Sequence, residues 1–191
     1  SKTEQSGQTD STFLKNLCEK YGLGIKVYAN RLVIWDYRDY FARATVMTLK
    51  PKQVTKWSYK STMQGTYTGA RVSYTNPRTK KTVDVIVGTE ERLYKTSQKA
   101  DSEADARLIG EGALLNANRK EATMQITLPP KLSLMATNTV QLSEFGEMDG
   151  KYFIEKVSHT ITKKEYTMQV NMSRIAGTEG TGNIDALEGG V

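Results

Sequence analysis

The stretch EATMQITLPP, residues 121–130, alternates without a break: Ala122, Met124, Ile126 and Leu128 fall on one side, Glu121, Thr123, Gln125 and Thr127 on the other. Strand side chains point to opposite faces at a period of two, so this stretch predicts a strand with one face in a core and one in water. EYTMQVNMSR repeats the arrangement, with Tyr166, Met168, Val170 and Met172 against Thr167, Gln169, Asn171 and Ser173. Strands with one wet face argue for antiparallel sheets, because parallel sheets are covered on both sides.

Other stretches read by the same test. LGIKVYA and RLVIWDY, rich in β-branched and aromatic residues and separated by Asn30 at a tight reversal, predict a hairpin. ATVMTL, VTKWSYKS, GARVSYT and KTVDVIVG continue as strands between residues 43 and 98. The last two are joined by NPRTK, where Pro77 presets a turn and Asn76 can bond back to the backbone. Two segments change period. In DSTFLKNLCEKYG, Phe13, Leu14, Leu17, Cys18 and Tyr21 recur at helical spacing, with Asp10 placed to cap the start and Gly22 to end it. In DSEADARLIGEGALLNANRKE, Asp101 or Ser102 can cap, and Ala104, Leu108 and Leu115 line up with Ile109 and Gly112 beside them, small enough for close packing on a sheet.

The order helix, hairpin, meander, helix, meander predicts an α+β fold, mainly antiparallel β, with two helices and a small helix-hairpin subdomain. The expected organisation is a mobile polar tail at 1–9, the helix plus hairpin at 10–42, an antiparallel β-unit at 43–176 that carries the helix at about 101–119, and a flexible Gly-rich tail at 177–191.

A chain of 191 residues can bury a core without staples. Cys18 is the only cysteine and His159 the only histidine, which excludes an internal disulfide and a Cys/His zinc site. No apolar run approaches the roughly 20 residues of a membrane span, and the start SKTEQSGQTD lacks the apolar stretch of a secretion signal. The expectation is a soluble protein, synthesised in a bacterial cytoplasm without a signal peptide. A net charge of +6, from 27 basic and 21 acidic residues, permits a polyanion partner without requiring one.

Candidate catalytic residues are few. By strand parity His159 shares a face with Phe153, Glu155, Val157 and Ile161, which reads as a wall residue; Ser158 points to the opposite face, and neither it nor Ser143 sits in a nucleophile elbow. Cys18 lies between Leu14 and Tyr21 on the apolar stripe of the first helix, the place of a small hydrophobe. Glu144, Glu147 and Asp149 in SEFGEMDG could supply a carboxylate pair, but a glycine-bracketed acidic cluster before a strand reads first as a solvated turn. Trp57, Tyr59, Lys60, Tyr67, Arg71 and Tyr74 interleave bases with aromatics as a nucleic-acid surface would, yet no recognition motif accompanies them. No phosphate-loop pattern occurs. The reading assigns no catalytic, cofactor-binding or metal-binding residue, and no cofactor.

Three longer segments carry a resemblance. TDSTFLKNLCEKYGLGIKVYANRLVIWD is a helix running into a hairpin that ends in L-V-I-x-D; DSEADARLIGEGALLNANRKEATMQITLPP is a capped small-residue helix running through N-R-K-E into a strand; NTVQLSEFGEMDGKYFIEKVSHTITKKEYTMQVNMSR places D-G-K-Y-F-I-x-x-V-x-H ahead of a final strand. Together, in this order and over roughly residues 9 to 176, they resemble the baseplate hub proteins of contractile bacteriophage tails and tail-like particles, the late control protein D group, including those of defective Bacillus prophages. The resemblance implies a VgrG-like, barrel-like tube domain and a trimeric ring in the baseplate. Its implied partners are the tail tube and tape measure above and the spike below, with no membrane and no specific nucleic acid. It implies no catalytic residue, and His159 matches the family's strand histidine. Such hubs carry a further β-rich domain ahead of the TDSTFL helix, so a fragment or half of a split hub, monomeric or weakly associated in isolation, is the expectation. The family often has Gly before TVQL where this chain has Asn138, a residue that tolerates the same left-handed turn. The alternatives are a tail-associated cell-wall hydrolase and, after it, a polyanion-binding module.

Overall fold

The computed structural model describes residues 5–62, 66–76 and 78–179. Residues 1–4 of the expected first tail, Pro77 of the expected turn and residues 180–191 of the expected last tail lie outside that range.

Among the described residues the helices are α1 (Asp10–Lys20), α2 (Tyr37–Ala42) and α3 (Glu103–Arg119). The strands are β1 (Leu23–Tyr28), β2 (Arg31–Asp36), β3 (Thr48–Leu49), β4 (Lys56–Ser61), β5 (Gly69–Thr75), β6 (Thr82–Gly88), β7 (Leu93–Lys95), β8 (Ala122–Leu128), β9 (Thr139–Leu142), β10 (Gly150–Ile161) and β11 (Tyr166–Glu179). The fold is α+β and mainly antiparallel, as the alternation implied. Among the described residues, parallel pairing is confined to β3 with β9 and β5 with β7.

The chain forms two compact units, each from two separated stretches: residues 1–39 with 66–118, and residues 40–65 with 119–191. This division differs from the expected 10–42 subdomain beside a 43–176 β-unit, because α3 and the β5–β6 hairpin group with α1. The helices approach closely within the first unit. A Cβ built on Gly112 of α3 would come within 2.5 Å of the Gly22 amide nitrogen. The Tyr21 hydroxyl donates to Asp105 at 2.8 Å.

In the first unit, β6-β5-β7 form a three-stranded sheet, and Val72, Tyr74, Val85, Ala100, Ala106 and Ile109 make its core. Thr9, and not Asp10, caps α1, accepting from the Thr12 amide; Gly22 ends the helix at φ +69, the left-handed conformation that glycine adopts without a Cβ clash. Ser102 caps α3 by accepting from Asp105 N at 3.1 Å. The buried residues of α3 are Ala106, Ile109, Gly110 and Gly112. Ala104 and Leu108, expected on the packing face, are exposed. Close backbone approach at small residues, rather than the largest apolar stripe, sets this helix's orientation. Asn76 accepts from Arg78 N and Thr79 N, as expected of the β5–β6 turn.

In the second unit a six-stranded sheet runs in the order β3-β9-β10-β11-β8-β4. It curls into a half-barrel and stays open, with β3 and β4 as edges. Leu49, Met124, Ile126, Leu128, Val140, Leu142, Tyr152, Ile154, Met168, Val170 and Met172 fill its inner face. Each fully buried side chain of this size stabilises by about 1.5–3 kcal/mol, so this face carries most of the unit's hydrophobic drive. The left-handed residue before β9 is Thr137 at φ 74. Asn138, expected there, instead donates from its side chain to the Ser133 carbonyl.

Candidate functional site

β10 carries the histidine, and its register is not regular. Ile154 pairs with Met172 and Lys156 with Asn171, leaving Glu155 as an extra residue in a β-bulge. One extra residue reverses the side-chain alternation downstream. Val157, His159 and Ile161 therefore continue the face of Tyr152 and Ile154, while Phe153 and Glu155, expected beside His159, belong to the other side. His159 pairs with buried Met168 but is itself exposed near the open end of the hairpin, where its Nδ1 and the Tyr166 hydroxyl share a 3.0 Å hydrogen bond. Ser158 is on the opposite face, so the strand does not pair a nucleophile with a base.

Cys18 is a buried free thiol in the first unit, and burial pushes its pKa up, away from the thiolate a nucleophile needs. Ser143 donates its backbone amide to Leu49, joining the edge of the sheet. The carboxylates of SEFGEMDG hold a turn. Asp149 accepts from the amides of Glu144 and Phe145 at 3.1 and 2.7 Å. Glu144, at φ 70, pairs with Lys50, whose ammonium holds the exposed carboxyl below its usual range. Arg174 donates to the Glu147 carbonyl at 2.5 Å and to the Tyr152 hydroxyl at 3.2 Å. Asp149, Glu144 and Arg174 are thus engaged in structural contacts within and around this turn.

The interleaved basic and aromatic residues come apart. Tyr67, Arg71 and Tyr74 lie in the first unit, where Tyr67 packs edge-on against Tyr94 at 5.2 Å, Arg71 faces Asp84 at 4.0 Å and Tyr74 is buried. Trp57 and Tyr59 lie in β4 on the core side, Trp57 meeting Phe145 at 5.7 Å and Tyr59 packing on the main core. Lys60 points the other way, as do Lys56 and Ser58.

That outward side is an extended polar surface. Its rows run Lys56–Thr127–Gln169–Ser158 and Ser58–Gln125–Asn171–Lys156 across β4, β8, β11 and β10. Gln125 donates to Asn171 at 2.7 Å within it. At its border Glu155, carried by the bulge, accepts from Arg119 at 2.6 Å and from Ser173 at 2.8 Å. Lys56 and Lys156 are members of this surface that the sequence analysis above does not single out. Parity within KWSYK separates the lysines from the aromatics, but the bulge that turns Lys156 outward leaves no glycine or proline as a signal.

Among the described residues no group of three or more His, Cys, Asp or Glu side chains could hold a metal ion, and no helix is long and apolar enough to cross a membrane.

No curated protein matches the chain. Solved structures do, at low identity. The fold is similar to that of a tail protein from Neisseria meningitidis MC58, with 12% identity, a TM-score of 0.66, and 92% of this chain and 57% of that one covered. It is similar to the 43 kDa tail protein of prophage MuSo2 from Shewanella oneidensis, with 13% identity, a TM-score of 0.66, and 88% and 54% covered. It is also similar to a chain of the native gene transfer agent virion, with 17% identity, a TM-score of 0.54, and 90% and 40% covered. The chain thus spans about half the length of the tail proteins it matches. These likenesses show a fold that occurs in phage tail proteins, in agreement at that level with the resemblance read from the sequence. Residues 29–173 match the family described as YQBQ-like, and the chain belongs to that family.

Proposed function

We propose that the chain is a structural component of a phage tail or tail-like particle, placed in the baseplate hub that joins the tail tube to the spike. The observation that carries this reading is the fold, shared over 92% and 88% of the chain with two tail proteins. The ordered segments that resemble contractile-tail hubs narrow it from tail to hub. In the assembled baseplate the chain acts as part of a homotrimer, meeting tube and tape measure on one side and spike on the other. The open sheet supports an assembly role, because β3 and β4 leave edges that a neighbouring subunit can cover.

A hydrolytic role has less behind it. Cys18 and His159 belong to different units, the thiol is buried, and in the 143–149 turn the Asp149 carboxylate is engaged by backbone amides and that of Glu144 by a lysine. We infer a non-enzymatic chain.

Gold-labelled antibody against this chain, applied to particles from a producing cell and viewed by negative-stain electron microscopy, tests the placement. Label at the junction of tube and spike is expected. Label along the tube, or particles that carry none, would overturn the hub reading. Light scattering of the chain mixed with tube and spike proteins should give a trimer, and a persistent monomer that binds neither would remove the partners.

A further inference from the structure

The outward face of the six-stranded sheet is unusual in what it excludes. Within the rows that cross β4, β8, β11 and β10, the charged side chains are Lys56, Lys60 and Lys156, and the remainder are Ser, Thr, Gln and Asn, except that the row Lys60–Thr123–Ser173–Phe153 ends in buried Ser173 and Phe153. No carboxylate lies within these rows. Of the acids at the border, Glu155 is engaged by Arg119 and Ser173, and Glu121 follows Lys120 just before β8. Trp57, though 43% exposed, and Tyr59 of β4 lie on the sheet's other face, and Phe153 is buried, so among the described residues of these rows no exposed ring on this face can stack on a base.

Lys56 and Lys60 stand four residues apart on one strand, about 13 Å, and Lys156 stands three strands across from Ser58, about 14 Å, level with the midpoint between them. Three cations at the corners of such a triangle, set in a field of uncharged hydrogen-bonding groups, complement a surface of regularly repeated anions. We propose that this face binds the phosphate backbone of a nucleic acid duplex, without reading its sequence. A duplex fits better than a single strand, because single-strand platforms depend on exposed aromatic rings and this face has none. A duplex presents phosphates on a broad rigid surface, and amide and hydroxyl side chains donate to phosphate oxygens between the lysines. The inference stands on the sheet face and does not need the hub assignment, so failure of one leaves the other standing.

The experiment is fluorescence anisotropy of a labelled mixed-sequence DNA duplex titrated with the full chain over a salt series. Release of counterions by three lysines gives a log–log slope of about −2.7, or roughly 40-fold weaker binding at 200 mM than at 50 mM salt. The combined Lys56→Ala, Lys60→Ala and Lys156→Ala variant should flatten that slope and lose at least about tenfold in affinity at the low-salt end. A control with the same loss of charge, Lys15→Ala, Lys81→Ala and Lys99→Ala, should change affinity less than about twofold. Equal losses in both variants would reduce the effect to net charge and overturn the site, as would no binding at low salt. Polyglutamate that binds as tightly as the duplex would assign the face to an acidic protein instead and overturn the nucleic-acid assignment. Circular dichroism of both variants separates lost binding from lost fold.

Discussion

A Cβ on Gly22 would lie 2.8 Å from the Cα of Gly112, and one on Gly112 would lie 2.6 Å from the Tyr21 carbonyl carbon. The turn that ends α1 is thus seated on the backbone of α3, with no side chain between them. Helix propensity alone would make Gly112→Ala stabilising by about 1 kcal/mol. Overpacking against backbone atoms that cannot swing aside outweighs that, and the expected result is a net loss of about 1–3 kcal/mol in urea unfolding. A variant as stable as the parent would mean that α1 and α3 separate more easily than this contact implies.

The β1–β2 hairpin turns through Ala29 and Asn30, since Tyr28 pairs with Arg31. Ala29 has φ 50, a left-handed conformation in which its Cβ crowds the following carbonyl. Ala29→Gly should relieve about 1 kcal/mol of that crowding, less what the freer unfolded glycine takes back. Amide hydrogen exchange across residues 23–36 reads the effect locally, and slower exchange is expected. Faster exchange would show that the turn holds Ala29 without strain.

Where local periodicity met an ordinary environment, the sequence was a sufficient guide. Met124, Ile126, Met168 and Val170 are buried as their alternation requires, and Gly22 ends its helix. The misses have physical causes. The hairpin run RLVIWDY takes in only Tyr37 of α2, and the rest of that short helix has no periodic signal, although Asp36, which accepts from Arg38 N at 2.9 Å, is a residue that can start a helix. The face of α3 was misassigned because Gly110 and Gly112 bury backbone, which apolar-stripe reasoning does not weigh. His159 lies in a strand as expected, but exposed and with other neighbours, since the Glu155 bulge shifts the alternation and Glu155 itself bonds Arg119, a partner 36 residues away. The lysine surface was illegible for the same reason: Lys156 reaches it only through that bulge.

Tyr21 makes a prediction for alkaline pH. Burial, followed by the hydrogen bond and charge of Asp105, raises its pKa from 10.0 to about 12. The unfolded phenol ionises near 10.0 while the folded one stays neutral, so this contribution to stability is complete below that pH and lost as pH rises toward about 12. Ultraviolet titration should show a late phenolate step that Tyr21→Phe removes, leaving the buried Tyr152, whose pKa is also raised. At neutral pH the same variant should lose about 1.5–3 kcal/mol, the worth of a hydrogen bond to a charged acceptor. An unchanged titration curve would disconnect Tyr21 from Asp105.

The bulge permits a stricter test than substitution. Deleting a residue from a regular strand sends everything beyond it to the wrong face. Glu155 is the extra residue, however: with it removed, Ile154 opposite Met172 is followed directly by Lys156 opposite Asn171, and the alternation becomes regular. Deletion of Glu155 should therefore keep Val157 and His159 on the inner face and Lys156 on the outer one. What it removes is the partner of Arg119 and Ser173, whose side chains are then left with one hydrogen-bond acceptor fewer. The expected cost is about 2 kcal/mol, near that of Arg119→Met, with cooperative unfolding retained and near-ultraviolet circular dichroism unchanged. Because both changes break the same contact, combining them should cost little more than either alone. A deletion that abolishes cooperative unfolding would show that β10 needs Glu155 for its register, and the assignment of Lys156 to the polar face would fall with it.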